Sequence, residues 1–121
     1  MNLRGLFWNA DNIREYRAGT TIFEEGTPGD EMYVILDGDV ELSVGNEILS
    51  IVGAGDIVGE MALIDLRARS ATAVAKTDCR VVPINENRFL FMVQQAPFFS
   101  LHVMRVLAER LRRMDSRFGS K

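Results

Sequence analysis

Two pairs of neighbouring residues in this chain have the chemistry of a site for a phosphorylated sugar. Arg69 and Ser70 are adjacent, and an arginine fork beside a hydroxyl group can hold a phosphate through several hydrogen bonds. Gly59 has no Cβ, so the backbone there can approach a ligand closely. Because a carboxylate repels a phosphate, we expect the next residue, Glu60, to accept a hydrogen bond from a donor such as a sugar hydroxyl.

The segments around these residues predict how they are positioned. Glu60 to Leu63 are good helix formers after a glycine, and a short turn of helix would direct free N–H groups towards an anion. Arg69 and Ser70 lead into a strand-like run, Ala71 to Ala75. The turn and the start of the strand together would form a phosphate site. An ordinary exposed ion pair between Glu60 and Arg69 is the alternative interpretation.

These two segments also resemble a known motif. Gly59-Glu60-Met61-Ala62-Leu63 and Arg69-Ser70-Ala71-Thr72 resemble the phosphate-binding cassette of cyclic nucleotide-binding domains. That family includes bacterial catabolite activators, protein kinase regulatory subunits and cyclic nucleotide-gated channels. The resemblance implies that Glu60 holds the ribose 2′-hydroxyl and that Arg69 and Ser70 hold the cyclic phosphate. The expected ligand-binding residues are Gly59, Glu60, Met61, Ala62, Arg69, Ser70, Ala71, Arg110 and Met114.

The resemblance further implies a sensor of a 3′,5′-cyclic mononucleotide, with cyclic AMP (cAMP) ahead of cyclic GMP (cGMP), and neither a metal nor catalytic residues. In the bacterial relatives the base is read from the last helix, at positions that match Met114 and Asp115. Arg110 matches an arginine that comes near the cassette glutamate. Arg110 could therefore reach Glu60 and couple ligand binding to movement of the C-terminal helix.

Composition limits the other classes of function. The chain has 121 residues, of which 47% are hydrophobic, enough for one domain over 1–121 with a modest core. No apolar run predicts a membrane span. Cys79 is the single cysteine, which excludes an internal disulfide and suits a reducing cytoplasm. A net charge of −3 does not favour nucleic-acid binding over the whole surface.

Short β-like runs separated by turns predict a β-sandwich or barrel over about residues 15–85. Val40–Val44 and Glu47–Val52 read as strands joined at Gly45-Asn46, and Asp37-Gly38-Asp39 reads as a hairpin turn. With the resemblance, this becomes a mainly β fold, a double-stranded β-helix (jelly roll) with flanking N- and C-terminal α-helices.

The helical part is expected at both ends. Near the N-terminus, Leu6, Phe7, Trp8 and Ile13 could form a short helix that packs on the core. After Asn85 the hydrophobic period changes, which predicts C-terminal helices over about 86–118. The first of these helices, Glu86 to Gln95, would direct Phe89, Leu90, Met92 and Val93 inward. Pro97 suits the start of a long amphipathic helix that ends near Phe118.

The long helix carries two apolar stripes. Phe99, Val103 and Val106 can pack on the β-roll. The second stripe follows the alternating 3 and 4 spacing of a coiled coil, which predicts a homodimer through the C-terminal helix. Its members are Met104, Leu107, Leu111, Met114 and Phe118. Alternatively, this stripe could fold over the ligand site of its own chain as a lid.

Two other classes of function stay open as alternatives. The first is an interaction module that keeps the jelly roll but no longer binds nucleotide. The second is a cupin-type metal enzyme, which needs several converging histidine or carboxylate ligands, whereas His102 is the single histidine. The effector is unknown. The helix-turn-helix that follows the long helix in bacterial activators is not expected, since the sequence stops there.

Overall fold

The computed structural model describes Phe7 and residues 10–64 and 68–117; the side chains at positions 64, 111 and 113–117 lie outside the described part. Eight strands and three helices follow one another in the described ranges. In chain order they are β1 Arg14–Tyr16, β2 Thr21–Phe23, β3 Glu31–Asp37, β4 Val40–Val44, β5 Glu47–Val52, β6 Ile57–Val58, α1 Met61–Ile64, β7 Thr72–Ala75, β8 Cys79–Asn85, α2 Glu86–Gln95 and α3 Pro97–Arg117.

The strands form two antiparallel sheets of four strands each, in the orders β1-β8-β3-β6 and β2-β7-β4-β5. The mainly β, jelly-roll prediction is confirmed. The β4–β5 hairpin around Gly45-Asn46 is as predicted, with Val44 opposite Glu47. The predicted hairpin at Asp37-Gly38-Asp39 is wrong, because β3 and β4 belong to different sheets and the chain crosses between them there.

Strand β6 was not predicted from the sequence. It contains only Ile57 and Val58, which pair with Val34 and Tyr33 of β3. Two residues are too few to show an alternating pattern, and both are fully buried. This short strand is important for the site, because it leads directly into Gly59 and Glu60.

Strand β3 is buried on both faces, which explains its unbroken apolar sequence. Met32, Val34 and Leu36 face a core cluster that includes residues of the long helix, among them Phe99. Tyr33 and Ile35 face the other way, into a second cluster between the two sheets. Each large apolar side chain removed from water contributes about 1.5–3 kcal/mol to folding, so β3 stabilises both core clusters.

Helix α2 has the predicted bounds. Asn85 caps it by accepting a hydrogen bond from the N–H of Arg88 at 2.9 Å. Phe89 and Met92 pack against the first core cluster, as predicted. Leu90 does not point inward: its side chain is 54% exposed, because one residue along a helix turns the side chain about 100° away from Phe89.

Helix α3 packs one stripe on the roll. Phe99 and Val103 are buried and Val106 is half-buried against the first cluster, which confirms that stripe. Leu107 also packs against this cluster, so this member of the predicted second stripe faces the core in part. Met104 is 57% exposed. The side chains of Leu111 and Met114, and all of Phe118, lie outside the described residues.

Of the predicted N-terminal helix, only Phe7 is described, as helical and buried, with its ring 5.9 Å from that of Phe99. Leu6 and Trp8 lie outside the described residues. Ile13 packs against the same core cluster. Within the described ranges, no helix combines the length and the apolar content needed to cross a membrane.

Candidate functional site

Arg69 is held inside the protein rather than extended into solvent. Arg69 is only 7% exposed. The Nη1 group donates hydrogen bonds to the carbonyl oxygens of Glu31 at 2.8 Å and Gly59 at 3.2 Å. The guanidinium carbon lies 4.3 Å from the centroid of the Phe23 ring, a cation–π distance. Nε is buried and has no hydrogen-bond partner among the described residues, so the hydrogen-bonding capacity of this donor is unused there.

Glu60 is the second buried charge of the site, 4% exposed. Its Oε2 accepts a hydrogen bond from Nη1 of Arg110 at 2.5 Å, and Nη2 of Arg110 donates to the carbonyl of Ile57 at 2.6 Å. Among the described residues, Arg110 rather than Arg69 is the ion-pair partner of Glu60. The simple Glu60–Arg69 surface pair is therefore not what the structure shows.

The other carboxylate oxygen of Glu60, Oε1, is buried and unpartnered within the described part of the chain. An unsatisfied buried acceptor costs about 1–3 kcal/mol, more when it is charged. Arg69 donates to the carbonyl of Gly59, so Arg69 and Glu60 flank the same backbone turn. A ligand with a hydroxyl donor next to an anionic group would satisfy both Glu60 Oε1 and Arg69 Nε.

Gly59 has two reasons to be glycine. Its φ is 75°, in the left-handed region that side chains disfavour. A Cβ there would also lie 2.7 Å from Nη1 of Arg69 and 3.2 Å from Cε2 of Phe23. The turn therefore brings the backbone into close contact with Arg69, whereas the sequence predicted only a close approach to a ligand.

Helix α1 begins at Met61, one residue later than predicted. The N–H of Ala62 donates to the carbonyl of Gly59 at 3.2 Å, and the N–H of Leu63 donates to that of Glu60 at 3.1 Å. These two N–H groups are engaged within the turn. Ala62 and Leu63 therefore do not offer free N–H groups to an anion, and the prediction now applies only to the N–H groups of Glu60 and Met61.

The segment that carries Ser70 is anchored by its backbone. The N–H of Arg69 donates to the carbonyl of Thr27 at 2.8 Å, and the Arg69 carbonyl accepts from the N–H of Gly26 at 2.9 Å. Ser70 is exposed and Ala71 is half-buried, so the Ser70 hydroxyl is open to a ligand. Strand β7 begins after them, at Thr72.

Helix α3 brings Arg110 to the site, as the resemblance implies, whereas the side chain of Met114 lies outside the described residues. Sequence reasoning missed Phe23, Ile57 and the carbonyl of Glu31. Phe23 and Ile57 look like ordinary strand residues, and a backbone carbonyl carries no sequence signal. Their roles depend on contacts between segments far apart in the chain.

Two ionisable side chains, Tyr33 beside Arg69 and His102 on α3, have shifted pKa values. Burial raises the pKa of Tyr33 to about 12, and its hydroxyl donates to Oε1 of Glu31 at 3.1 Å. Burial lowers the pKa of His102 below its ordinary value. Among the residues that the structure describes, no group of three or more histidine, cysteine, aspartate or glutamate side chains is placed to hold a metal ion.

The chain is similar to known proteins in sequence and in fold. A curated relative from Mycobacterium tuberculosis, described as a CRP-like cAMP-activated global transcriptional regulator, is 34% identical over 107 residues, which is 84% of this chain and 48% of that protein. The crystal structure of the Thermus thermophilus catabolite activator protein is similar with a TM-score of 0.78 and 30% identity, covering 88% of this chain and 53% of that one.

A cGMP-bound form of the EAL enzyme Bd1971 is also similar, with a TM-score of 0.65 and 36% identity, covering 87% of this chain and 29% of that one. The chain spans about half the length of the curated relative from Mycobacterium tuberculosis. The family described as "Cyclic nucleotide-binding domain" matches residues 13–96. That match takes in both halves of the cassette, and the chain belongs to the cyclic nucleotide-binding domain family.

Proposed function

We propose that this chain is a regulatory module that binds a 3′,5′-cyclic mononucleotide and has no catalytic role of its own. The observation that carries the proposal is a pair of buried atoms on either side of one turn, Oε1 of Glu60 and Nε of Arg69, which have no hydrogen-bond partner in the described part of the chain. The ribose 2′-hydroxyl would donate to Glu60. The cyclic phosphate would accept from Arg69 and from the exposed Ser70 hydroxyl.

We propose cAMP ahead of cGMP as the ligand. The support is that the Mycobacterium tuberculosis relative is described as cAMP-activated, and that Ser70 supplies a hydroxyl of the type found in cAMP activators. The EAL enzyme relative has a solved cGMP-bound form, so both nucleotides belong in the experiment. Met114 and Asp115, the positions expected to face the base, do not contain the usual hydroxyl pair.

The ion pair between Arg110 and Glu60 supports coupling of ligand binding to the C-terminal helix. Arg110 belongs to α3, whereas Glu60 and Ile57 belong to the segment that ends in the cassette. A ligand hydroxyl that donates to Glu60 competes with Arg110 for the same carboxylate and so weakens the attraction between Glu60 and Arg110. In our proposal, nucleotide binding thereby changes the position of α3, and an unknown effector responds to the helix.

We further propose a homodimer formed through α3. Leu101 is 41% exposed and Met104 is 57% exposed, and three residues apart they share one helix face. Two large exposed apolar side chains on one helix face favour contact with another apolar surface, most simply the same helix of a second chain. Leu107 packs on the core, so it is not part of the proposed contact. On this part of the helix the proposed seam, the face of α3 that would contact the second chain, consists of Leu101 and Met104.

Calorimetric titration of the purified chain with cAMP and with cGMP tests the proposal. Saturable binding of either nucleotide is the expected result, and its loss in Arg69→Ala assigns the binding to this site. If neither nucleotide produces heat or thermal stabilisation at millimolar concentration, the module does not bind them. The alternative of a jelly-roll interaction module would then be the better interpretation.

A further inference from the structure

Gly29 differs from most of the glycines that the structure describes. Gly19, Gly26, Gly38, Gly45, Gly55 and Gly59 have positive φ angles. The φ of Gly29 lies outside the left-handed range, so this angle does not require glycine there. A Cβ at this position would nevertheless lie 2.2 Å from Nε, 2.4 Å from Cζ and 2.7 Å from Nη2 of Arg69. The missing side chain of Gly29 is therefore space that Arg69 occupies.

Three segments enclose the guanidinium group of Arg69. Phe23 lies against it at 4.3 Å, and the Phe23 ring stacks on Tyr33 with centroids 5.9 Å apart and an interplanar angle of 14°. Gly59 contributes the second close backbone, where a Cβ would lie 2.7 Å from Nη1. We name Phe23, Gly29 and Gly59 the Arg69 slot.

The slot orders a long side chain before any ligand is present. A free arginine loses rotamer entropy when it is immobilised, and this cost weakens binding if the ligand has to impose the order. Here the Arg69 slot and the carbonyls of Glu31 and Gly59 hold the guanidinium in advance. Nη1 is used for the two carbonyls, while Nε stays buried without a partner among the described residues.

We propose that Gly29 and Phe23 are positioning residues, which hold the Arg69 guanidinium in the orientation that receives the cyclic phosphate. This inference rests on the proposed function. In Gly29→Ala, the added methyl group meets the end of a flexible side chain rather than backbone. Arg69 therefore moves and the chain still folds. The damage falls on nucleotide affinity and on the hydrogen bonds from Arg69 to Glu31 and Gly59.

The first measurement compares Gly29→Ala with Gly53→Ala by calorimetric titration with cAMP and cGMP. Gly53 is a matched control, since its φ also lies outside the left-handed range. Its added Cβ would lie 3.1 Å from the end of the exposed Asp39 side chain and at an ordinary contact distance of 3.7 Å from the carbonyl oxygen of Gly38. We expect Gly29→Ala to weaken binding by about tenfold or more and Gly53→Ala to leave it unchanged. Phe23→Leu, which removes the aromatic face, should also weaken binding.

The second measurement needs no ligand and separates positioning from a general structural role. Melting temperatures are compared for the wild type, Gly29→Ala, Arg69→Ala and the double variant. If Gly29 serves Arg69, then Gly29→Ala lowers the melting temperature of the wild type but not that of Arg69→Ala. Should Gly29→Ala fail to fold, a folded double variant supports the slot, whereas an unfolded double variant overturns it.

Failure of this inference differs from failure of the proposed function. The inference is wrong and the proposed function stands if two results occur together. The wild type and Gly29→Ala bind nucleotide equally well, and Gly29→Ala lowers the melting temperature by the same amount with and without Arg69→Ala. If the wild type binds neither nucleotide, the proposed function fails, and the positioning role for phosphate fails with it.

Discussion

Arg110 on helix α3 and Glu60 beside the cassette turn form an ion pair across 50 residues of chain, with Nη1 2.5 Å from Oε2. The Glu60 side chain is 6% exposed and that of Arg110 is 28% exposed, so the pair is shielded from water on the glutamate side. The second nitrogen of Arg110 donates to the carbonyl of Ile57. This single arginine thus connects the long helix to two points of the site.

Arg110→Ala should therefore destabilise the ligand-free protein. Removing Arg110 leaves both oxygens of the buried Glu60 carboxylate without a partner among the residues that the structure describes. Hydrogen bonds to charged groups contribute about 1.5–3 kcal/mol. We expect a loss of that size in the free energy of unfolding, measured by urea denaturation. Arg112→Ala is the control on the same helix, because its pair with Glu109 is exposed on both sides. It should cost less than about 0.5 kcal/mol. Equal losses of unfolding free energy in Arg110→Ala and Arg112→Ala would contradict a stabilising role for the Arg110–Glu60 pair.

Cyclic nucleotide should stabilise the fold against heat. A ligand that binds only the native state adds RT ln(1 + [L]/Kd), about 2.7 kcal/mol at a hundredfold excess over Kd. The melting temperature should rise with nucleotide concentration for the wild type. In Arg69→Ala it should not rise over the same range. An unchanged wild-type melting temperature at millimolar cAMP and cGMP would mean that the domain does not bind them.

Arg69→Ala should weaken nucleotide binding more than Ser70→Ala. A charge-assisted hydrogen bond contributes about 1.5–3 kcal/mol, whereas a neutral one contributes about 1 kcal/mol. Arg69→Lys should not restore affinity, because an ammonium group lacks the planar fork that Phe23 and the carbonyls of Glu31 and Gly59 hold. Titration calorimetry of the three variants measures the order of their nucleotide affinities. Similar affinities in all of them would place the phosphate elsewhere.

Glu60→Gln should reduce affinity for nucleotides that carry a ribose 2′-hydroxyl. The amide keeps the size of the side chain but weakens its hydrogen bond as an acceptor and its attraction to Arg110. A 2′-deoxy cyclic nucleotide is the control ligand. The wild type should bind it more weakly than cAMP, and Glu60→Gln should bind the two ligands with more similar affinities. If the variant still discriminates between them as the wild type does, Glu60 does not hold the 2′-hydroxyl.

Replacing the exposed apolar residues of α3 should test the homodimer. Leu101→Glu together with Met104→Glu places charges on the proposed seam without entering the core. We expect the wild type to sediment as a dimer and the double variant as a folded monomer. Leu90→Glu is the control, because Leu90 is similarly exposed but lies on α2. A wild type that is monomeric at tens of micromolar, with and without nucleotide, would contradict the dimer and favour the lid.

Local chemistry was enough to predict several elements with their bounds. Strands β4 and β5 were read from alternation and from the Gly45-Asn46 turn, and α2 from a change of period. The order of Gly59-Glu60 and Arg69-Ser70 along the chain was enough to identify the family. In each case the information lies within a few consecutive residues, as backbone preference, hydrophobic period or motif.

Tertiary structure decided the features that depend on contacts between distant segments. Strand β6 exists because Ile57 and Val58 meet β3, and the chain crosses between sheets at Gly38 because β3 and β4 pair with different strands. The missing Cβ of Gly29 leaves room for Arg69, a contact between segments 40 residues apart that the identity of Gly29 does not reveal. The sequence by itself determined which chemical groups the proposed site contains, since chemistry belongs to residue type. Their orientation was decided by packing, since a side chain's direction depends on neighbours that local sequence does not specify.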